Sequence, residues 1–318
     1  MDQIMGKPAS DLEPSTPSNG AQLSLPDAMH QPITAQVQAV LKVIQENVSG
    51  IHPRTEEPFE LTLSRQAWLE LQRNPDFDLC IEQKQFPVSY DSSTAVLTIM
   101  PPPLFMHRAI LGFLSEVGSG ARSKSNEKAQ MSIVQNLYVD NFEGPYASSA
   151  KQPDLVINWG KDLHQPHTVV EVGKSQSLEC LRGLVPLYLT GNPTIQRVVL
   201  VKIMETPAYA SSSRLPIHVT SAQDLRRDEV TGAIFYGDIQ LVGEVKFRWE
   251  VWERVNGQPT TTFEEEFGYG ELPCRPLPIF KIDAAGMEAT VQPAAMKDFW
   301  DCTWNPATLM DAVRRARC

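Results

Sequence analysis

KQPDLVINWGKDLHQPHTVVEVGKSQS, residues 151–177, is the stretch on which the fold turns. DLVINW (154–159) reads as a strand. HTVVEVG (167–173) reads as a second, short and β-branched, as expected of a strand buried on both faces. Asp154 opens the first strand and Glu171 lies within the next, after a connection short enough for a hairpin. Adjacent antiparallel strands bring such side chains within a few ångströms. Two unpaired carboxylates that close repel and raise one pKa. A divalent cation on oxygen ligands, Mg²⁺ or Mn²⁺, removes the conflict and can activate water at a phosphate.

The flanks supply the rest of an α/β pattern. Upstream, 33–47 places Val37, Val40, Leu41 and Ile44 at helical spacing, and 64–73 predicts a short helix capped by Ser64. FPVSYD (86–91) and TAVLTIM (94–100) predict a hairpin about Ser92-Ser93, stopped by the prolines at 101–103. HRAILGFLSEV (107–117) carries the apolar stripe Ile110, Leu111, Leu114 and Val117, and 131–140 predicts a strand. Downstream, 177–189 reads as a helix weakened or kinked at Gly183 and Pro186, and RVVLVKI (197–203) as a buried strand. This order predicts a mixed central sheet with helices on its faces.

Residues 241–267 differ, reading as a long hairpin turning at Asn256-Gly257. Phe247, Trp249 and Val251 alternate with polar neighbours until Trp252 breaks the pattern; these aromatics suit a sheet core better than a nucleobase platform. A short terminal helix is expected to end in Arg314, Arg315 and Arg317. The division that follows is a disordered tail over 1–30, an α/β domain over 31–210 with its N-terminal helices, and a β-rich extension over 211–318 packed on the same core.

The totals narrow the function classes. The 318 residues carry a net charge of −10, which counts against broad phosphate neutralisation and requires a nucleic-acid partner to meet a local basic groove or metal ions. The five cysteines are odd in number and far apart, with no CxxC pair, which argues against zinc and against a disulfide framework. His164 and His167 flank a loop proline and make no zinc site. Nothing approaches the roughly 18 unbroken apolar residues of a membrane span. The N-terminus lacks a signal-peptide core, which predicts an intracellular protein, cytoplasmic or nuclear. No oligomeric state is fixed, and a homodimer is compatible with the sequence.

Pro153-Asp154 followed by Glu171 resembles the PD-(D/E)xK nuclease superfamily. The match extends to its Uma-two-type branch, restriction-endonuclease-like and abundant in bacteria, with similar proteins of unassigned role in fungi. That branch has a methionine-proline turn before a histidine that opens a helix, then PDLV, a VVEV strand with Ser-x-Ser, a helix ending in Tyr, and a closing strand. Here these are IMPPPLFMHRAILGFL with Met100 and His107, PDLVI, VVEVGKSQS, LVPLYL with Tyr188, and RVVLVKI, over roughly residues 88–204. The resemblance implies a restriction-endonuclease-like α/β fold with an added C-terminal hairpin. It implies Mg²⁺ or Mn²⁺ on Asp154, Glu171 and the Val172 carbonyl, and DNA or RNA as substrate. His107 or Glu116 would be an accessory group, though nine residues on one helix set them ~180° apart. Gln176 would contact the scissile phosphate.

The sequence departs from that pattern at the lysine. The position two residues after the acid, on its face of the strand, is Gly173. Lys174 takes the catalytic role only if a bulge at Gly173 swings it back; Arg182 on the next helix is the other source of charge. Two functions follow. One is a metal-dependent phosphodiesterase with Lys174 stabilising the developing charge. The other is an inactive descendant of the fold that serves as a binding or interaction module.

Overall fold

A computed structural model describes residues 31–48, 59–77, 87–100, 105–124, 131–160, 165–174, 176–207, 221–283, 286–303 and 307. The tail at 1–30, the proline run at 101–103 and the three terminal arginines lie outside the described residues.

The first elements are α1 (Ile33–Val48), β1 (Phe59–Thr62), α2 (Arg65–Leu71), β2 (Val88–Asp91) and β3 (Val96–Ile99). Ser64 caps α2 as expected, its Oγ accepting from the Ala67 N–H at 3.2 Å. β2 and β3 pair antiparallel, with β1 on the far side of β3. The stripe Val37, Val40, Leu41 and Ile44 packs with Trp68, Leu71, Tyr90 and Leu97 into one apolar cluster. Trp68 stacks on Tyr90 at 5.0 Å between centroids.

The main body follows: α3 (Phe105–Lys124), β4 (Met131–Gln135), β5 (Leu155–Trp159), β6 (Pro166–Gly173), α4 (Leu178–Gly191) and β7 (Arg197–Thr206). After β8 (Leu225–Arg227), β9 (Ile234–Tyr236) and β10 (Ile239–Val242) come β11 (Glu244–Val255), β12 (Gln258–Gly268), β13 (Leu277–Ile282), β14 (Met287–Val291) and α5 (Pro293–Thr303). The molecule is mixed α/β about a six-stranded sheet of order β12-β11-β7-β6-β5-β4. β6 and β7 run parallel across the α4 crossover; the other pairs are antiparallel.

Period-two alternation sorts the sheet's two faces. Val170, Val172, Val199 and Val201 pack with Ile110, Leu111 and Leu114 of α3 and with Phe280 and Trp300. Val169, Val198 and Leu200 pack with Leu181, Val185 and Tyr188 of α4. Both faces are covered, which is why β6 and β7 read as largely apolar runs. α4 continues through Gly183 and Pro186, both on its exposed side, where water can donate to the carbonyl that the proline leaves without a helical donor.

The long hairpin turns at Asn256 and Gly257, both with positive φ (52° and 79°), the geometry for which Asn-Gly is suited. β11 joins β7 directly and so extends the central sheet. Trp252 is no defect in the alternation: Trp249 and Val251 face the α3 side, and Trp252 packs on the α4 side, on a face of β11 that otherwise carries charged residues. β1 and the strands β8–β10, β13 and β14 were not anticipated from sequence.

Candidate functional site

The β5–β6 register pairs Leu155 with Val170 and Val156 with Val169. Continued one step past the start of β5, it sets Asp154 opposite Glu171. The carboxylate of Asp154 turns back over the strand end, and its Oδ2 accepts the Val172 N–H at 2.7 Å. The same oxygen lies 3.0 Å from His107 Nε2 on the first turns of α3. Burial disfavours the charged imidazole, but Asp154, then Glu171 and a hydrogen bond to the Val172 backbone, outweigh it and raise the His107 pKa.

Glu171 points to the α4 face, where the Tyr188 hydroxyl donates a short hydrogen bond to Oε1. Lys151 Nζ lies 3.9 Å from the same oxygen. Burial is the main reason the Glu171 carboxyl is pushed up to about 7; Lys151 opposes that shift, Asp154 adds to it, and Tyr188 and His107 oppose it. Tyr188, fully enclosed and facing a carboxylate, is held well above the ordinary phenol range.

Lys151 was absent from the residues singled out in sequence, as was Tyr188 in any site role. Lys151 sits before the β5 strand in a segment stitched to its neighbours. It exchanges backbone hydrogen bonds with Val139 at 2.8 Å, while Ala150 does so with Tyr90 of β2 at 2.7 and 2.9 Å. Ser149 Oγ accepts from the Ser92 N–H and Gln152 Oε1 from the Val88 N–H. The β2–β3 hairpin therefore forms a wall of the site, and Ser89 Oγ stands 3.5 Å from the Lys151 ammonium.

The other expected residues fall elsewhere. No bulge turns Lys174 back: β6 and β7 stay in step through Glu171–Leu200, Val172–Val201 and Gly173–Lys202. Leu181 packs over Gly173 instead: a Cβ there would lie 2.7 Å from Leu181 Cδ1, so the leucine side chain would have to shift. Lys174 leaves the strand and places Nζ 3.2 Å from Glu205 Oε2. Lys202 donates to the Lys174 carbonyl. Arg182 is tied to the buried Glu250 together with Arg248. Gln176 Nε2 contacts Met100 Sδ at 3.7 Å. Glu116 is exposed, as its half-turn offset from His107 requires.

A divalent cation is compatible with what remains open. Asp154 Oδ1 and Glu171 Oε2 take no hydrogen bond from any described residue. With the Val172 carbonyl, which His107 also faces, they would make an all-oxygen set, and Mg²⁺ characteristically takes one or two carboxylates and keeps several waters. No group of three or more His, Cys, Asp or Glu side chains arranged as metal ligands occurs among the described residues. No described helix is long and apolar enough to cross a membrane, and the described cysteines, Cys180, Cys274 and Cys302, are exposed. No family model matches the chain, and no curated protein matches it.

Proposed function

We propose that the chain is a metal-dependent hydrolase of phosphodiester bonds in DNA or RNA, built on a restriction-endonuclease-like fold. One observation carries this reading. Two acidic residues of adjoining strands, Asp154 and Glu171, fall opposite each other in register at one end of the sheet, where Asp154 adds to the upward shift of the Glu171 carboxyl, and Glu171 is buried against a lysine. Asp154, Glu171 and the Val172 carbonyl would hold Mg²⁺ or Mn²⁺, which when bound supplies charge neutralisation at phosphate and acidifies an attacking water. His107 positions Asp154, and Tyr188 fixes the Glu171 carboxyl in place. In the reaction a water oxygen bonds to phosphorus and the phosphorus–ester oxygen bond breaks. The departing oxygen takes a proton and the water gives one up. The net charge of −10 makes the cation, rather than a broad basic face, the source of attraction for phosphate.

The test is cleavage of plasmid DNA and of single-stranded RNA in Mg²⁺ or Mn²⁺ by the full chain. Asp154→Ala and Glu171→Ala abolish metal-dependent cleavage while circular dichroism stays that of the parent. Cleavage by both variants at the parental rate would end this reading.

A second reading is an inactive binding module. It is favoured by the pairing of Lys174 with Glu205 and by the neutralisation of each carboxylate from within the chain, Asp154 by His107 and Glu171 by Lys151. A calorimetric Mg²⁺ titration separates the two. Heat that disappears in Asp154→Ala supports the hydrolase, and a flat parental titration supports the module.

A further inference from the structure

We infer that Lys151, and not Lys174, is the residue that contacts the anionic phosphate oxygen at this site; the inference rests on the hydrolase reading above. Lys151 is 6% exposed, and burying an ammonium costs several kcal/mol unless its surroundings compensate. The compensation here is incomplete. The ammonium carries three donors, and its side-chain partners among the described residues are Ser89 Oγ at 3.5 Å and Glu171 Oε1 at 3.9 Å, both long for a charged hydrogen bond. Such slack leaves it able to take a further anionic oxygen beside Glu171.

Its backbone is held more firmly than its side chain. The two-way hydrogen bonds to Val139, and those of Ala150 to Tyr90, fix the Cα between the central sheet and the β2–β3 hairpin. Tyr90 is itself anchored by its hydroxyl on the Leu63 carbonyl and by stacking on Trp68. The N-terminal elements thus have a defined part, which is to present Lys151 to the acidic pair. Gly173 and Lys174 explain why the charge comes from there. Leu181 fills the space a side chain at 173 would need, and alternation sends Lys174 towards the face of Val170 and Val172, away from Glu171.

The experiment compares the parent, Lys151→Met and Lys174→Met in two measurements. The first is cleavage in Mn²⁺. Lys151→Met lowers kcat/KM at least a hundredfold, with most of the loss in kcat, and Lys174→Met keeps kcat/KM within threefold. The second is equilibrium binding of a fluorescent oligonucleotide in EDTA as a function of salt. Lys151→Met lowers the slope of log K against log salt by about one, and Lys174→Met leaves it unchanged. Lys151→Met placed in a Glu171→Gln background, compared with Glu171→Gln alone, gives the same slope comparison without leaving a buried charge unpaired. An active parent with an equally active Lys151→Met overturns the inference and leaves the hydrolase reading standing. A parent that neither cleaves nor binds overturns both.

Discussion

Lys174 Nζ and Glu205 Oε2 are 3.2 Å apart, an ion pair that ties the end of β6 to the end of β7 and keeps the lysine from the acidic pair. Glu205 Oε1 also accepts the Gly243 N–H at 3.1 Å, and its side chain is 4% exposed. Lys174→Met removes the cation and leaves the carboxylate behind. The expected loss is about 1–3 kcal/mol, and Lys174→Met combined with Glu205→Gln recovers most of it, because removing both partners leaves no orphaned charge. Urea denaturation of the parent, the two single variants and the double variant measures the coupling.

Glu171 makes stability depend on pH with a definite sign. Its carboxyl is raised from 4.5 to about 7, with burial the first cause, so what it contributes to stability is complete below 4.5 and is lost as pH climbs through 7. Glu171→Gln cannot ionise. Relative to the parent, the variant should gain about 3 kcal/mol in unfolding free energy between pH 4.5 and pH 8, whatever its offset at one pH. Denaturant unfolding of both proteins at five pH values tests this. A difference that stays constant with pH would mean the carboxyl titrates as an ordinary one.

The His107–Asp154 contact adds a second dependence of the same sign. Burial works against the charged imidazole, yet Asp154 raises its pKa overall, so the contact stabilises fully below 6.5 and fades as pH rises through the folded value. Asp154→Asn keeps an acceptor for the Val172 N–H but loses the charge. Its destabilisation is therefore larger at pH 5.5 than at pH 8.5, with thermal melts at the two pH values as the check.

Arg254 offers a test away from the site. Its guanidinium donates to the carbonyls of Leu189, Asn192, Pro193 and Ile195 at 2.9, 2.7, 2.9 and 3.0 Å. These lie at and just after the C-terminus of α4, where carbonyls lack helical partners. Arg254→Ala should cost about 2 kcal/mol, and Arg254→Lys should restore little of it, because a single ammonium cannot span four acceptors. Chemical denaturation and hydrogen exchange in 189–195 report the effect.

Much of this molecule was legible in the chain. The strands at 155–159, 166–173 and 197–206, the helices from 33, 65 and 178, and the Asn256-Gly257 turn all carry local signatures, namely apolar period, cap or turn residue. The weakly marked strands β8–β10 and β13–β14 did not, since short strands of mixed polarity look like loops until a neighbour pairs with them. At the site, the opposition of Asp154 and Glu171 in register was readable because it follows from a hairpin of countable register. Lys151 and Tyr188 were not, because each reaches Glu171 from an element whose placement depends on packing.

Sequence alone, then, determined the acidic pair and the strand carrying its buried member, through two-residue alternation and a short connection. It also determined that Gly173 leaves that strand without a lysine on the acid's face. Only the tertiary structure decided which cation stands beside Glu171. That choice depends on the β2–β3 hairpin docking against 149–152, on α4 bringing Tyr188 over β6, and on Glu205 holding Lys174. Local propensity fixes the direction of a side chain along its own strand, whereas distances between charges on separate elements are set by how those elements pack.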